Sequence, residues 1–153
     1  MKAAMSDSVV IRSPLTSDLE ALASLLGELG YPVSPSAVAS RLDRLAQHAD
    51  IAVLVADRSG TPVGLATAHI IEAIHVDEPV AMLTALVVAE HHRGRGIGRM
   101  LVDAAEAWSV RSGALRITVA SGLARAVAHA FYEAMGYENT ARRYSKILGR
   151  PER

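Results

Sequence analysis

The middle of the chain holds three apolar stretches, at residues 51–56, 63–71 and 80–88, and they constrain the fold more than any other feature. Polar segments at 57–60 and 75–79 separate them and have the composition of turns. Because short connections of this kind join neighbouring antiparallel strands, the three stretches are predicted to form a meander. The first stretch is apolar on both faces, which is typical of an interior strand.

The hydrophobic period changes after the third stretch. Apolar residues then repeat at helical spacing, namely Met100, Leu101, Ala104, Ala105 and Trp108. Gly113 ends this helix, and residues 115–120 are again typical of a strand. Strand, glycine-rich turn, helix and strand together predict a βαβ unit behind the meander.

Further elements are predicted on both sides. Ser17 and Glu20 have the spacing of a capping box, so a leucine-rich helix is expected to begin there. Ser34 and Pro35 have the features of an N-cap and a first helical residue, which predicts a second helix. The outer elements are a strand at 9–12, a last helix from about Arg125 to Met135 stopped by Gly136, and final strands at Tyr137 and Tyr144–Leu148.

Composition limits the class of protein. The 153 residues include no cysteine, which excludes disulfides and thiolate chemistry, and no metal is expected. No apolar run approaches the roughly 20 residues of a membrane span, and residues 1–8 lack the apolar centre of a signal peptide. We therefore expect a cytoplasmic protein with a single domain at 1–153 and no membrane partner.

The segment 92–99, between the third stretch and its helix, reads HRGRGIGR. Glycines at alternate positions are costly in an ordered chain unless the backbone needs positive φ angles or close approach of a ligand. Amide N–H groups at a helix start form a positive concavity, and three arginines add cationic side chains. The loop also follows the carboxyl end of a strand, where open α/β sheets bind ligands. We therefore predict a phosphate or pyrophosphate site rather than a plain turn.

Two other phosphate-binding motifs fit less well. A Walker A loop needs a lysine followed by serine or threonine, and Gly98-Arg99-Met100 supplies neither. A dinucleotide fingerprint needs Gly-x-Gly-x-x-Gly and an acid about 20 residues later. The glycines here are evenly spaced, and residues 113–118 contain no acid.

The segment matches a family signature: arginine or glutamine, two residues, glycine, one residue, glycine or alanine. Arg93, Gly96 and Gly98 fit it, after an apolar strand at 86–88, and residues 125–137 resemble a second, later family element. The chain is thus similar to the GNAT superfamily of acetyl-CoA-dependent acetyltransferases. The resemblance implies an α+β, three-layer fold, with a central mixed, mostly antiparallel sheet of about six or seven strands flanked by about four helices.

The resemblance also implies acetyl-CoA as cosubstrate. Backbone at 86–88 would pair with its pantetheine arm, amides at 94–99 would hold its pyrophosphate, and an N–H near Val87 or Val88 would polarise the thioester carbonyl. For His129 a packed or solvent-facing helix position stays open. The implied cofactor-binding residues are Leu86, Val87, Val88, Arg93, Gly94, Arg95, Gly96, Ile97, Gly98, Arg99, Arg125 and His129.

For catalysis, the resemblance implies a general acid but no single general base. Tyr132 matches the family tyrosine that protonates the leaving thiolate, although by itself it is typical of a half-buried helix aromatic. Many family members carry a glutamate in the strand before the loop, but residues 81–88 contain no carboxylate. Glu72, His75 and His69 are candidate bases acting through water, and the alternative for each is an ordinary surface position.

The function implied is transfer of an acetyl group from acetyl-CoA to a primary amine, by direct attack. The acceptor would be a small molecule, similar to an aminoglycoside, polyamine or amino acid, or a peptide. The alternative, motivated by the missing glutamate, is a non-catalytic acyl-CoA-binding sensor or interaction module. No nucleic acid partner is expected, because aromatic residues for base stacking are absent near the loop. Homodimers are common in the family.

The net charge of zero conceals an asymmetry. Residues 1–89 carry 5 basic and 10 acidic side chains, whereas residues 90–153 carry 11 basic and 6 acidic ones. The basic part contains the loop expected to bind an anion. The acidic part contains the turn with Glu72, Asp77 and Glu78, which could attract a cationic amine or be plain solvated surface.

Overall fold

The computed structural model describes residues 8–121 and 125–149. The chain divides into two compact units, Met1–Val119 and Ala120–Arg153. The first unit contains a sheet with helices on both of its faces, and the second contains one helix and the segment that follows it.

The sheet of the first unit has five strands in the order β1-β2-β3-β4-β5. The first four pair antiparallel, and β5 joins β4 in parallel, so the predicted meander and the strand after the βαβ crossover are both confirmed. The strands are β1 (Val9–Arg12), β2 (Ile51–Arg58), β3 (Thr61–Ile71), β4 (Val80–Val88) and β5 (Arg116–Val119).

Four α-helices are described, as predicted. They are α1 (Leu19–Leu29), α2 (Pro35–Leu45), α3 (Ile97–Arg111) and α4 (Ala126–Ala134). The start of α2 is the predicted one, because the Ser34 hydroxyl accepts a hydrogen bond from the Ala37 N–H at 3.2 Å and Pro35 is the first helical residue. None of the described helices is long and apolar enough to cross a membrane.

The start of α1 differs from the prediction. The helix begins at Leu19 after a short 3₁₀ turn, so the capping box at Ser17 and Glu20 is wrong. A partly buried ion pair organises this start instead: Arg12 on β1 donates to both carboxylate oxygens of Asp18, at 2.7 and 2.9 Å. The Asp18 carboxylate also accepts the Leu15 N–H at 2.6 Å, and Arg12 bonds Asp57 on β2 at 2.7 Å. An ion pair with the preceding strand therefore takes the place of the predicted cap.

We expect Asp18→Asn to reduce the free energy of unfolding by about 2 kcal/mol, because the Asp18 side chain is 1% exposed and Arg12 loses one of its two carboxylate partners while keeping Asp57. The Arg12 hydrogen bond lowers the pKa of Asp18 below its ordinary value of 3.8. The stabilisation is therefore complete above about pH 5 and is lost as the pH falls through the lowered pKa. Urea unfolding between pH 3 and pH 7 measures this, with Asp43→Asn on an exposed part of α2 as the control. Equal stability of the Asp18 variant and the control would contradict it.

The two faces of the sheet bury different helices. On one face, α1 and α2 cover a cluster of buried residues that includes Val55 of β2, Leu65 of β3 and Val87 of β4. On the other face, α3 packs against β2, β3 and β4. Side chains alternate between faces along a strand, so each strand residue can be assigned to one helix layer. This assignment fixes which residues can meet near the site.

The predicted final strands are absent, and the described part of the chain has five strands rather than six or seven. Residues 138–149 form no regular element, and the side chains of Tyr144, Ile147 and Leu148 are 87%, 88% and 94% exposed. The physical reason is their spacing, because these apolar residues do not alternate with a period of two and cannot bury one face of a strand.

Candidate active site

One side of β4 is paired along only half of its length. β5 pairs with Val80, Ala81, Met82 and Leu83, and it ends at Val119. The structure describes no strand opposite the rest of β4 on that side. We call the main chain of Leu86 and Val88 on this side the free edge, and it leads directly toward the glycine-rich segment.

A bulge in β4 lies where the pairing with β5 stops. Thr67 of β3 pairs with Ala85, and the next residue, Ala68, pairs with Leu83. Thr84 is therefore an extra residue of β4 that faces no residue of β3 in the strand register. A bulge of this kind bends its strand and increases the local twist. It therefore accounts for the point at which β4 and β5 separate.

The direction of the hydrogen bonds decides which residues of β4 face the free edge. The Ala89 N–H donates to the Val63 carbonyl at 2.8 Å, so this pair is bonded toward β3. Bonding direction alternates along an antiparallel ladder, so Val87 also bonds toward β3, while Leu86 and Val88 point their N–H and C=O groups away from it. The Val87 side chain is 6% exposed and lies in the α1/α2 cluster. Of the two amides predicted to polarise the carbonyl, that of Val88 therefore faces the free edge and that of Val87 faces β3.

The glycine loop (residues 93–96) connects a short 3₁₀ turn at Glu90–His92 to α3. Gly94 and Gly96 have φ angles of +76° and +79°, a region that residues with a Cβ rarely adopt, so the predicted need for positive φ is confirmed at these two positions. Gly98 lies inside the first turn of α3 instead. The first bond within the helix runs from the Met100 N–H to the Gly96 carbonyl, so the amides of Ile97 and Gly98 come before the helical ladder and lie at the positive end of the helix dipole.

The side chains of the loop have different roles. Arg93 Nε donates to the Val88 carbonyl at 3.0 Å, which fastens the loop to the end of β4. Ile97 is 3% exposed and anchors the start of α3 in the core, so only its main chain can meet a ligand. Arg95 and Arg99 are exposed.

A fourth arginine reaches the same region from β2 and was missed by the sequence analysis. Arg58 lines an open groove together with Arg95, Ile97 and Met100, and its guanidinium lies 3.1 Å from His92 Nδ1. The register of the β2–β3 hairpin, with Arg58 opposite Thr61, carries it to the end of the sheet where β4 finishes. The groove adds cationic charge beside the loop.

The candidate bases are not brought to the free edge. Glu72 and His75 are exposed and follow Ile71, which pairs with Val80. Val80 lies six residues before Leu86, about 20 Å along a strand. His69 is nearer along β3, half-exposed, and its Nε2 is 3.3 Å from Asp50 Oδ2.

The second unit carries the remaining predicted residues on and beside α4. Arg125 precedes the helix, and His129 and Tyr132 lie three residues apart on it, hence on one face. The Tyr132 ring contacts the rings of Phe131 and Tyr137, with centroids 5.2 and 5.6 Å away. Burial raises the pKa of the Tyr132 phenol above its ordinary value of 10, and the charge of Arg125 opposes this shift. The phenol is therefore protonated at neutral pH and able to donate a proton.

Together, the free edge and the loop suit one kind of ligand. The loop amides and the α3 N-terminus favour a phosphate or pyrophosphate. The free edge offers the Leu86 main chain and the Val88 N–H, which face no described strand, to an extended, amide-containing chain in the manner of an added strand, while the Val88 carbonyl accepts from Arg93. The two meet at Val88, so a molecule with both parts can occupy them together.

Comparison with known proteins supports this interpretation. A model of the acetyltransferase (GNAT) family matches residues 19–137. The aminoalkylphosphonate N-acetyltransferase of Salmonella typhimurium is 27% identical over 143 residues, which cover 90% of each protein. A GNAT family acetyltransferase of Staphylococcus aureus is 25% identical, with a TM-score of 0.79 over 92% of this chain and 99% of that one.

An aminoglycoside N-acetyltransferase solved with CoA shares the fold, with a TM-score of 0.81 over 95% of this chain and 97% of that one, at 23% identity. The predicted fold class and the predicted acyltransferase are confirmed by these comparisons. The family model spans most of the chain, from the start of α1 to a residue three positions after the end of α4. The chain therefore belongs to the acetyltransferase (GNAT) family.

Proposed function

We propose that this protein transfers an acetyl group from acetyl-CoA to the primary amine of a small molecule or peptide. The observation that carries the proposal is the free edge of β4, which begins at the Thr84 bulge and runs into the glycine loop. This layout provides a place for an extended thioester arm next to a place for a pyrophosphate. We propose further that residues 1–153 act as one acetyltransferase domain.

The binding residues have distinct parts in this proposal. Amides from Gly94 to Arg99 would hold the pyrophosphate, with the arginine side chains of the loop adding cationic charge. The main chain of Leu86 and Val88 would pair with the pantetheine arm. Arg125 and His129 of the second unit are proposed cofactor contacts on the strength of the family resemblance.

The reaction needs a hydrogen-bond donor for the carbonyl oxygen, an acid for the leaving thiolate and an acceptor for the amine proton. The lone pair of a neutral amine forms a bond to the thioester carbonyl carbon, and an N–H of the free edge stabilises the negative charge that develops on the carbonyl oxygen. The C–S bond then breaks, and its electron pair leaves on sulfur as a thiolate. Tyr132, kept protonated by burial, would supply the proton that converts this thiolate to a thiol.

The amine must also lose a proton. Residues 81–88 contain no carboxylate, and Glu72 and His75 follow the end of β3 that lies away from the glycine loop. We propose that the proton leaves through water, with Glu72 or His75 as its final acceptor. Removal of either group should then lower the rate only weakly.

The acceptor is proposed to resemble an aminoglycoside, a polyamine, an amino acid or a short peptide. The relatives support an amine acceptor, since one acts on aminoalkylphosphonates and a structural neighbour on aminoglycosides by name. A homodimer is proposed from the family resemblance alone. Sedimentation velocity would test it without reference to activity.

We expect acetyl-CoA to raise the melting temperature, because a ligand that binds only the folded state stabilises it. At 100 times its dissociation constant the gain is about 2.7 kcal/mol, or roughly 5 to 10 °C for a chain of this size. Release of free thiol from acetyl-CoA against a panel of amines then tests turnover. A flat melting temperature up to millimolar acetyl-CoA would contradict the proposal, and binding without release from any amine would favour a non-catalytic acyl-CoA sensor.

A further inference from the structure

Two threonine hydroxyls form a pair where the β4 bulge meets the free edge. Thr67 Oγ1 and Thr84 Oγ1 are 2.6 Å apart, Thr84 is exposed, and Thr67 is half-buried. In a regular ladder Thr84 would point to the opposite face from Ala85. The bulge instead turns Thr84 toward Thr67, which shares its face with Leu65 and the α1/α2 cluster.

The pair lies where the reactive end of the cosubstrate arm is expected. If the pyrophosphate is held at the glycine loop, the arm runs along the free edge from Val88 back toward Leu86. Pairing with β5 closes that edge at Leu83. The reactive end of the arm is thus directed toward Thr84, two residues or about 7 Å along the strand from Leu86.

The chemistry of the pair suits an amine. A hydroxyl has one O–H donor and two lone pairs, and the bond between the two threonines uses one donor and one lone pair. One O–H and three lone pairs are left, so the pair mainly accepts hydrogen bonds. An amine offers N–H donors to such a site and keeps its own lone pair available for attack.

Polar groups continue along the same face of β3. His69 follows Thr67 by two residues and faces Met82 across the ladder, and its Nε2 is 3.3 Å from Asp50 Oδ2. The strand residues of this face near the pair include no lysine or arginine. Thr67, Thr84, His69 and Asp50 therefore offer hydrogen-bond acceptors and one carboxylate. Neither β3 nor β4 holds a lysine or arginine here that could bind an anionic group.

We propose, on the basis of the proposed function, that the Thr67–Thr84 pair positions the acceptor amine, and that the His69–Asp50 pair receives the rest of a cationic, donor-rich acceptor. Diamines and amino sugars belong to this class, whereas aminoalkylphosphonates do not. Thr67 and Thr84 are positioning residues, and neither takes up the proton. A structural role explains the pair less well, because an exposed hydroxyl–hydroxyl bond stabilises a fold by only about 1 kcal/mol.

The test uses Thr67→Val and Thr84→Val, singly and together, because valine keeps the β-branched shape and removes the hydroxyl. Thr61→Val, at the exposed start of β3, is the matched control. We expect the double variant to raise KM for a diamine about 10-fold at saturating acetyl-CoA. The single variant Thr84→Ser keeps a hydroxyl and should therefore keep the KM of the parent protein. The shift in melting temperature caused by acetyl-CoA should not change. A diamine should also be a better substrate than an aminoalkylphosphonate of the same length.

Three results would overturn the inference. The double variant could keep its KM for the amine within twofold of the parent, it could lose acetyl-CoA binding to the same extent, or the phosphonate could be the better substrate. Each of these leaves the proposed function intact, since the parent protein still turns over an amine. If the parent releases no thiol with any amine, the proposed function fails and takes this inference with it.

Discussion

Replacing Gly94 with glutamate is expected to weaken acetyl-CoA binding by roughly 100-fold, equivalent to about 2.8 kcal/mol. The substitution places a carboxylate among the amides proposed to hold the pyrophosphate, where like charges repel at short range. The surroundings have room for the side chain, because a Cβ at Gly94 would meet no atom within 4 Å. Isothermal titration of the variant with acetyl-CoA measures the loss.

Backbone strain must be separated from charge in this experiment. Gly113 ends α3 with a φ of +93°, and a Cβ there would make only an ordinary contact with Pro79 at 3.8 Å. Gly113→Glu therefore carries a similar cost in backbone conformation, about 1–2 kcal/mol, at the other end of the same helix. We expect it to lower the melting temperature and to leave acetyl-CoA affinity within twofold. Equal losses of affinity in the two variants would show that strain, and not the anion site, explains the effect.

Removing the phenol in Tyr132→Phe is expected to lower kcat by about 100-fold with little change in KM for acetyl-CoA, since a positioned general acid contributes at least that factor. The ring contacts with Phe131 and Tyr137 can persist in the variant. Because burial raises the pKa of this phenol above 10, ionisation of Tyr132 should not limit the activity of the parent protein until the pH exceeds about 10. Steady-state rates from pH 6 to pH 10 test both points.

Tyr144→Phe is the matched control, because that side chain is 87% exposed and lies in the irregular segment after α4. It should leave kcat unchanged. A Tyr132→Phe variant that keeps more than half of the parent kcat would remove this residue from the reaction. The proton for the thiolate would then have to come from water.

The glycine loop and the start of α2 were predictable because each depends on local chemistry. Alternating glycines demand unusual φ angles, and Gly94 and Gly96 adopt them. Ser34 caps α2 through its own hydroxyl, which accepts from the N–H of Ala37 three residues later. In such cases the residues that set the conformation are neighbours in the sequence.

The features that could not be predicted depend on partners in other elements of the fold. Nothing in residues 80–88 marks Thr84 as a bulge, because the extra residue exists only relative to the register of β3. Arg58 comes beside the loop through the pairing of two strands, and Asp18 replaced a capping box because Arg12 of β1 reached it. The assignment of Val88 rather than Val87 to the free edge likewise needed the Ala89–Val63 hydrogen bond. The periodicity of single segments carries none of this information.

The most direct test of the central claim is amide hydrogen exchange of the free protein and of the protein saturated with acetyl-CoA. Amides that pair with the pantetheine arm or the pyrophosphate must exchange more slowly in the complex. We predict slower exchange at Leu86 and Val88 and from Gly94 to Arg99, with α2 unaffected apart from the general gain in stability. Protection confined to other segments, with the amides of Leu86 and Val88 exchanging at the same rate in both states, would contradict the assignment of the free edge of β4 as the acetyl-CoA site.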